Sequence, residues 1–133
     1  PARVSRSGED ITLLTYGMMH YYALQAAEAA AQEGISLEVI DLRTLYPVDR
    51  ETILASVRKT GKVLIVHEDN LTGGYGAELS AIIAEHAFTF LDAPIRRLAG
   101  PDVPAVPFSP PLQEWFMIDH DKILEAVRKL NAF

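Results

Sequence analysis

One stretch limits what this chain can fold into more than any other. Residues 62–78 read Lys-Val-Leu-Ile-Val-His-Glu-Asp-Asn-Leu-Thr-Gly-Gly-Tyr-Gly-Ala-Glu. Val63 to Val66 form an apolar run long enough for a buried strand and too short for a helix. The run turns polar at His67-Glu68-Asp69-Asn70, and glycines follow at Gly73, Gly74 and Gly76. Leu79, Ile82, Ile83 and His86 then recur at helical spacing. The pattern is strand, polar loop, glycine turn, helix. In an open α/β sheet such a loop lies at the carboxyl end of a strand, where ligands and partners dock.

The same alternation runs through the rest of the chain. Residues 11–16 (Ile-Thr-Leu-Leu-Thr-Tyr) are β-prone, and Gly17 breaks them. Residues 18–33 are alanine-rich and helical, with Leu24, Ala27 and Ala31 expected on one face and Gly34 as the stop. A second strand is expected over 37–42. A loop follows up to Pro47, and Asp49 then caps a helix running to about Lys59, with Ile53, Leu54 and Val57 inward. The helix after the glycine turn should reach Ala87, with Phe88, Phe90 and Leu91 entering the core and His86 as a buried core histidine. Residues 94–99 alternate enough for a partly exposed strand.

Residues 100–111 hold five prolines, a density that excludes helix and central strand. Trp115 and Phe116 follow, either packed under that crossing or anchoring a partner. Asp119 or Asp121 caps a last helix with Ile123, Leu124, Val127 and Leu130 inward and Arg128-Lys129 near its negative end. Four strand–helix alternations predict an α/β fold, a three-layer, largely parallel open sheet of about five strands with helices on both faces.

Composition narrows the function. A length of 133 residues suits one domain with a real core. The first residue is Pro1, and the polar, turn-like start suggests that 1–9 are a linker remnant and 10–133 the domain. A net charge of −6 with only small basic clusters argues against a nucleic-acid partner and suits a basic protein partner. No run approaches membrane length and no signal peptide is visible. With no cysteines, thiolate chemistry is excluded, and a reducing compartment fits.

The chemical motifs are sparse. His67, Glu68 and Asp69 are compatible with acid–base chemistry but read more simply as strand-end loop residues. The glycine cluster lacks Gly-x-Gly-x-x-Gly and the Walker Gly-Lys-Ser/Thr ending, so tight packing is the plainer reading than a phosphate cradle. Metal spacings and a Gly-x-Ser-x-Gly elbow are absent.

Several ordered segments do carry a resemblance. Residues 38–47 (Glu-Val-Ile-Asp-Leu-Arg-Thr-Leu-Tyr-Pro), 56–61 (Ser-Val-Arg-Lys-Thr-Gly), His67-Glu68 with 71–78, 91–95 (Leu-Asp-Ala-Pro-Ile) and Gly100-Pro101-Asp102 resemble the C-terminal domain of transketolase-like enzymes. The closest likeness is to the β subunit of the E1 component of pyruvate- and branched-chain-type 2-oxo acid dehydrogenases, from about Gly8 to Phe133. One departure is Met117-Ile118-Asp119, where many relatives have Leu-Pro.

The resemblance implies an enzyme that decarboxylates a 2-oxo acid oxidatively and passes the acyl group to a lipoyl group. It implies thiamine diphosphate and magnesium in the parent enzyme but neither bound by this domain, which lacks the Gly-Asp-Gly motif. It implies no catalytic residues here. The partners it implies are the E1 α subunit or domain, a second β subunit and the subunit-binding domain of the E2 acyltransferase. The last is received partly by the chain's terminal carboxylate. Interface residues carried over are His67, Glu68, Gly73, Gly74, Asp92 and Phe133. The compartment it implies is bacterial cytoplasm or mitochondrial matrix, without secretion. The alternatives are the C-terminal domain of transketolase or 1-deoxyxylulose-5-phosphate synthase, or a free-standing module holding a phosphorylated ligand. Gly74→Val is expected to lower the melting temperature or disrupt association; unchanged values of both would refute a packing role for the glycine turn.

Overall fold

The computed structural model describes residues 1–43, 48–70, 75–100 and 118–133, with only the backbone described at 68–70 and Gly100. Among the described residues the chain forms five strands, β1 (Arg3–Arg6), β2 (Ile11–Thr15), β3 (Leu37–Asp41), β4 (Val63–Asn70) and β5 (Arg96–Gly100). Four α-helices accompany them: α1 (Met19–Gln32), α2 (Arg50–Thr60), α3 (Tyr75–Ala87) and α4 (His120–Asn131). A short 3₁₀ turn, Phe88–Phe90, follows α3. Residues 44–47, 71–74 and 101–117 lie outside the description. The Tyr46-Pro47 loop, Gly73, Gly74, the proline-rich crossing and Trp115-Phe116 fall there.

The strand order is β1-β3-β2-β4-β5, with β3, β2, β4 and β5 parallel and β1 antiparallel to β3. Every residue of β2 is buried. Its alternate side chains face opposite layers, as strand geometry requires. Ile11 and Leu13 join α1 and α4, whereas Leu14 joins α2 and α3. This is the expected three-layer α/β arrangement. The connection from β2 to β3 runs in one direction across the sheet, and those from β3 to β4 and β4 to β5 run in the other. Right-handed crossovers then place α1 on one face and α2 and α3 on the opposite face.

Local chemistry sets most element ends. Asp49 accepts from Thr52 N (3.2 Å) and Thr52 Oγ1 (2.7 Å), and these bonds hold its carboxyl below the usual range. Asp119 accepts from Lys122 N at 3.0 Å and caps α4, with Ile118 buried behind it, so the departure from Leu-Pro still gives a capped entry. Gly61 ends α2 at φ +73°, its N–H donating to Val57 O at 2.8 Å.

Four expectations need correction. Arg3–Arg6 is a strand inside the segment read as turn-like linker; as an edge strand it needs only backbone partners and shows little apolar pattern. In α1 the buried side is Met19, Ala23, Ala26, Ala27 and Ala30, whereas Leu24 is partly buried and Ala31 exposed, because a run of alanines leaves the helical phase undefined. His86 is exposed beside Glu85, and the inward stripe of α3 passes from Ile83 to Ala87 instead. Phe88 and Phe90 are exposed and Leu91 half-buried, because the tight turn after α3 points the rings outward.

Polar groups are buried between the sheet and α2. Thr12 Oγ1 bonds Ser56 Oγ at 2.6 Å and Thr60 Oγ1 at 2.7 Å. Glu38, almost fully buried on β3, pairs with Lys59 and accepts from Gly8 N at 3.2 Å. Burial pushes the Glu38 carboxyl up, but hydrogen bonds from Lys59, Ser56 and Gly8 outweigh it, and the net displacement is downward. A lowered folded-state value means the pair stabilises above the ordinary glutamate value of about 4.3 and that this contribution is lost as pH falls through the folded value. Glu38→Gln should cost about 1–2 kcal/mol near neutral pH, less than a fully buried pair because Lys59 is partly exposed. Its unfolding free energy should also fall less steeply below pH ~4 than that of the parent chain. Parallel stability–pH curves from denaturant titration would refute this role.

Candidate functional site: two ends of one sheet

The six carried-over interface residues do not form one cluster. His67 and Glu68 lie in the second half of β4, towards its carboxyl end. Asp92 and Phe133 lie at the opposite end, around Gly61 and Lys62, where β4 begins. The five steps from Lys62 to His67 span roughly 16 Å of extended strand. Gly73 and Gly74 are outside the described residues, as is the side chain of Glu68.

At the carboxyl end the sheet has its switch point, between β2 and β4, where the chain's direction across the sheet reverses. His67 is fully buried there, in a strand that continues to Asn70 rather than in a loop. The reason is the ladder to β5, which reaches Asn70↔Gly100 beyond a register shift after Val66. Tyr16, at the end of β2, stacks on the imidazole with centroids 6.2 Å apart and planes 6° from parallel. Gly76, in the first turn of α3, approaches from another side: a β-carbon there would overlap His67 Nε2 and lie 2.8 Å from Cδ2. Thr15 Oγ1, also buried, has no hydrogen-bond partner among the described residues. The imidazole is thus closely packed by Tyr16 and Gly76.

Among the described residues there is no group of three or more His, Asp or Glu side chains able to hold a metal ion.

At the amino end, Asp92 N donates to Gly61 O at 2.7 Å, and a β-carbon on Gly61 would overlap Asp92 Oδ2. Asp92 is exposed. Lys62 Nζ donates to Phe133 O (2.9 Å) and Asn131 O (3.2 Å). Two exposed rings sit under cations: Phe90 under Arg58, 5.9 Å from the ring centroid, and Phe133 under Arg96, at 5.6 Å. Phe88, 71% exposed, borders a shallow groove that also includes Leu91, Pro94 and Ile95. This end thus carries exposed rings and three cations, Arg58, Lys62 and Arg96, on a chain of net negative charge. Sequence reasoning missed Tyr16, Lys62, Arg58 and Arg96. Arg96 was visible only as part of a small basic pair, and nothing local ties a residue before a strand to the last helix.

Residues 1–123 match the family described as transketolase, C-terminal domain. The chain belongs to this family. Over 132 residues, 99% of its length, it is 52% identical to the 2-oxoisovalerate dehydrogenase subunit beta of Bacillus subtilis, of which it covers 40%. It is 43% identical to the mitochondrial pyruvate dehydrogenase E1 component subunit beta of Dictyostelium discoideum, covering 98% of this chain and 36% of that one. It thus spans about two fifths of the length of the curated relatives it matches. Among solved structures, a split-gene transketolase described as an inactive beta4 tetramer superposes with TM-score 0.87 at 29% identity, covering 99% of this chain and 42% of that one. A Pichia stipitis transketolase with TM-score 0.66 and 17% identity covers 100% of this chain and 18% of that one, a likeness of fold alone.

Gly76→Ala tests the packing at the carboxyl end of this family member. Alanine would gain at most ~1 kcal/mol of helix propensity. Displacing His67 and Tyr16 should cost about 1–3 kcal/mol, so the net effect is destabilising. A melting temperature equal to or above that of the parent chain would show that the imidazole is not confined by α3.

Proposed function

We propose that this chain is the carboxy-terminal domain of the β subunit of a thiamine diphosphate-dependent 2-oxo acid dehydrogenase E1 component, of the pyruvate or branched-chain type. The observation that carries this reading is 52% identity over 99% of the chain to a 2-oxoisovalerate dehydrogenase β subunit. The parent enzyme decarboxylates a 2-oxo acid and delivers the acyl group to a lipoyl group. This domain supplies assembly surfaces rather than reacting groups. Thiamine diphosphate and magnesium are held elsewhere in the assembly.

The two ends of the sheet divide the work. The carboxyl end, with His67 and Glu68, packs against the α subunit and a second β subunit, and Gly73 and Gly74 join this role by resemblance; the close packing of His67 against Tyr16 and Gly76 supports this. The amino end, with Asp92 and Phe133, receives the E2 subunit-binding domain; the exposed rings and mixed charges there support this. The compartment is the bacterial cytoplasm or the mitochondrial matrix, in keeping with where relatives of those kinds work. Among the described residues no helix is long and apolar enough to cross a membrane.

A transketolase parent is the second reading, supported by the split-gene transketolase superposition, but at 29% identity against 52%. Substrate separates the two. The assembled enzyme should decarboxylate a branched 2-oxo acid or pyruvate with an artificial electron acceptor and show no ketol transfer from a ketose phosphate. In that assembly Phe133→Ala should weaken binding of the E2 subunit-binding domain about tenfold, roughly 1.4 kcal/mol, and leave decarboxylation unchanged. Ketol transfer would overturn the E1 assignment; lost decarboxylation with intact docking would overturn the division of work.

A further inference from the structure

We propose that Lys62 and Arg96 form a clamp that fixes Phe133 for docking, so that both are positioning residues for the partner rather than contacts made by it. The proposal rests on the amino end being the E2 docking surface. Phe133 follows the last turn of α4, where carbonyls are left without intrahelical partners and the end frays. Phe133 is 58% exposed. An exposed ring on a fraying end is a poor anchor, because ordering it on binding lowers affinity.

Two arms from the sheet oppose that fraying. Lys62 sits immediately before β4, its own backbone fixed by Thr12 N donating to Lys62 O at 2.8 Å. Its ammonium takes two of the end carbonyls, those of Asn131 and Phe133. Arg96 is the first residue of β5, paired in the ladder with Leu64 of β4. Its guanidinium lies 5.6 Å from the Phe133 ring centroid. The arms therefore rise from adjacent strands and grip the same residue at its backbone and at its ring. One ring face is covered and the remainder is presented to solvent. The last turn already has its own closing bonds, Ala132 N to Lys129 O and Phe133 N to Leu130 O, both 3.3 Å. The clamp thus adds orientation to a chain end that already turns back on the helix.

The test uses the assembled E1 carrying the full β chain, with the isolated E2 subunit-binding domain as probe and Kd read by calorimetry. Lys62→Met and Arg96→Met should each raise Kd about three- to tenfold, and Lys62→Arg should restore most of the loss. Melting temperature and decarboxylation should stay near those of the parent. In a double-mutant cycle, Lys62→Met should add little once Phe133 is alanine, because the clamp acts through that ring. If Phe133→Ala weakens docking but both clamp variants bind normally, the clamp is wrong and the docking surface stands. If Phe133→Ala leaves Kd unchanged, the docking surface itself is wrong and the clamp falls with it. Additive losses from Lys62→Met and Phe133→Ala would make Lys62 a direct contact, which also overturns the positioning role.

Discussion

The fold depends on β2 being buried on both faces. A central parallel strand has no solvated side, so its alternating residues need cover from two separate helical layers. Ile11 and Leu13 require α1 and α4, and Leu14 requires α2 and α3. Two buried threonines interrupt the apolar run, and the Thr12 hydroxyl is satisfied by Ser56 and Thr60. That polar contact fixes how α2 sits on the sheet, since a hydroxyl left without a partner there costs about 1–3 kcal/mol. The position of α2 in turn places Gly61 and Lys62, where β4 starts.

A parallel sheet has two chemically different ends, and in this chain they are built differently. The end where the strand order reverses is sealed by aromatic, imidazole and glycine packing. The opposite end is open, with rings under guanidinium groups and a shallow groove beside the turn after α3. Open α/β folds commonly reserve the first kind of end for ligands. Here the described residues at that end place Tyr16 and Gly76 against a buried His67.

Much of this was legible in the sequence. Strand and helix order, the Asp49 and Gly61 signals, and the inward faces of α2 and α4 were read from spacing alone, because each depends on residues within one turn. Long-range consequences were not. The apolar run stops at Val66, yet β4 continues because β5 offers hydrogen bonds that no local pattern reveals. Phe88 and Phe90 look like core by composition and are thrown outward by a three-residue turn. The resemblance offered six positions as one set, and only the topology shows that His67 and Glu68 lie a strand's length from Asp92 and Phe133.

The contact between positions 67 and 76 reaches into how such domains diverge. Glycine is a poor choice for a helix position, and random drift would tend to replace it. The bulk of the imidazole removes that freedom: any side chain at 76 has to occupy space already filled. The two positions are therefore bound as a pair in volume. Among relatives, a slimmer residue at 67 should open the way for a methyl group at 76, and glycine should persist wherever histidine does.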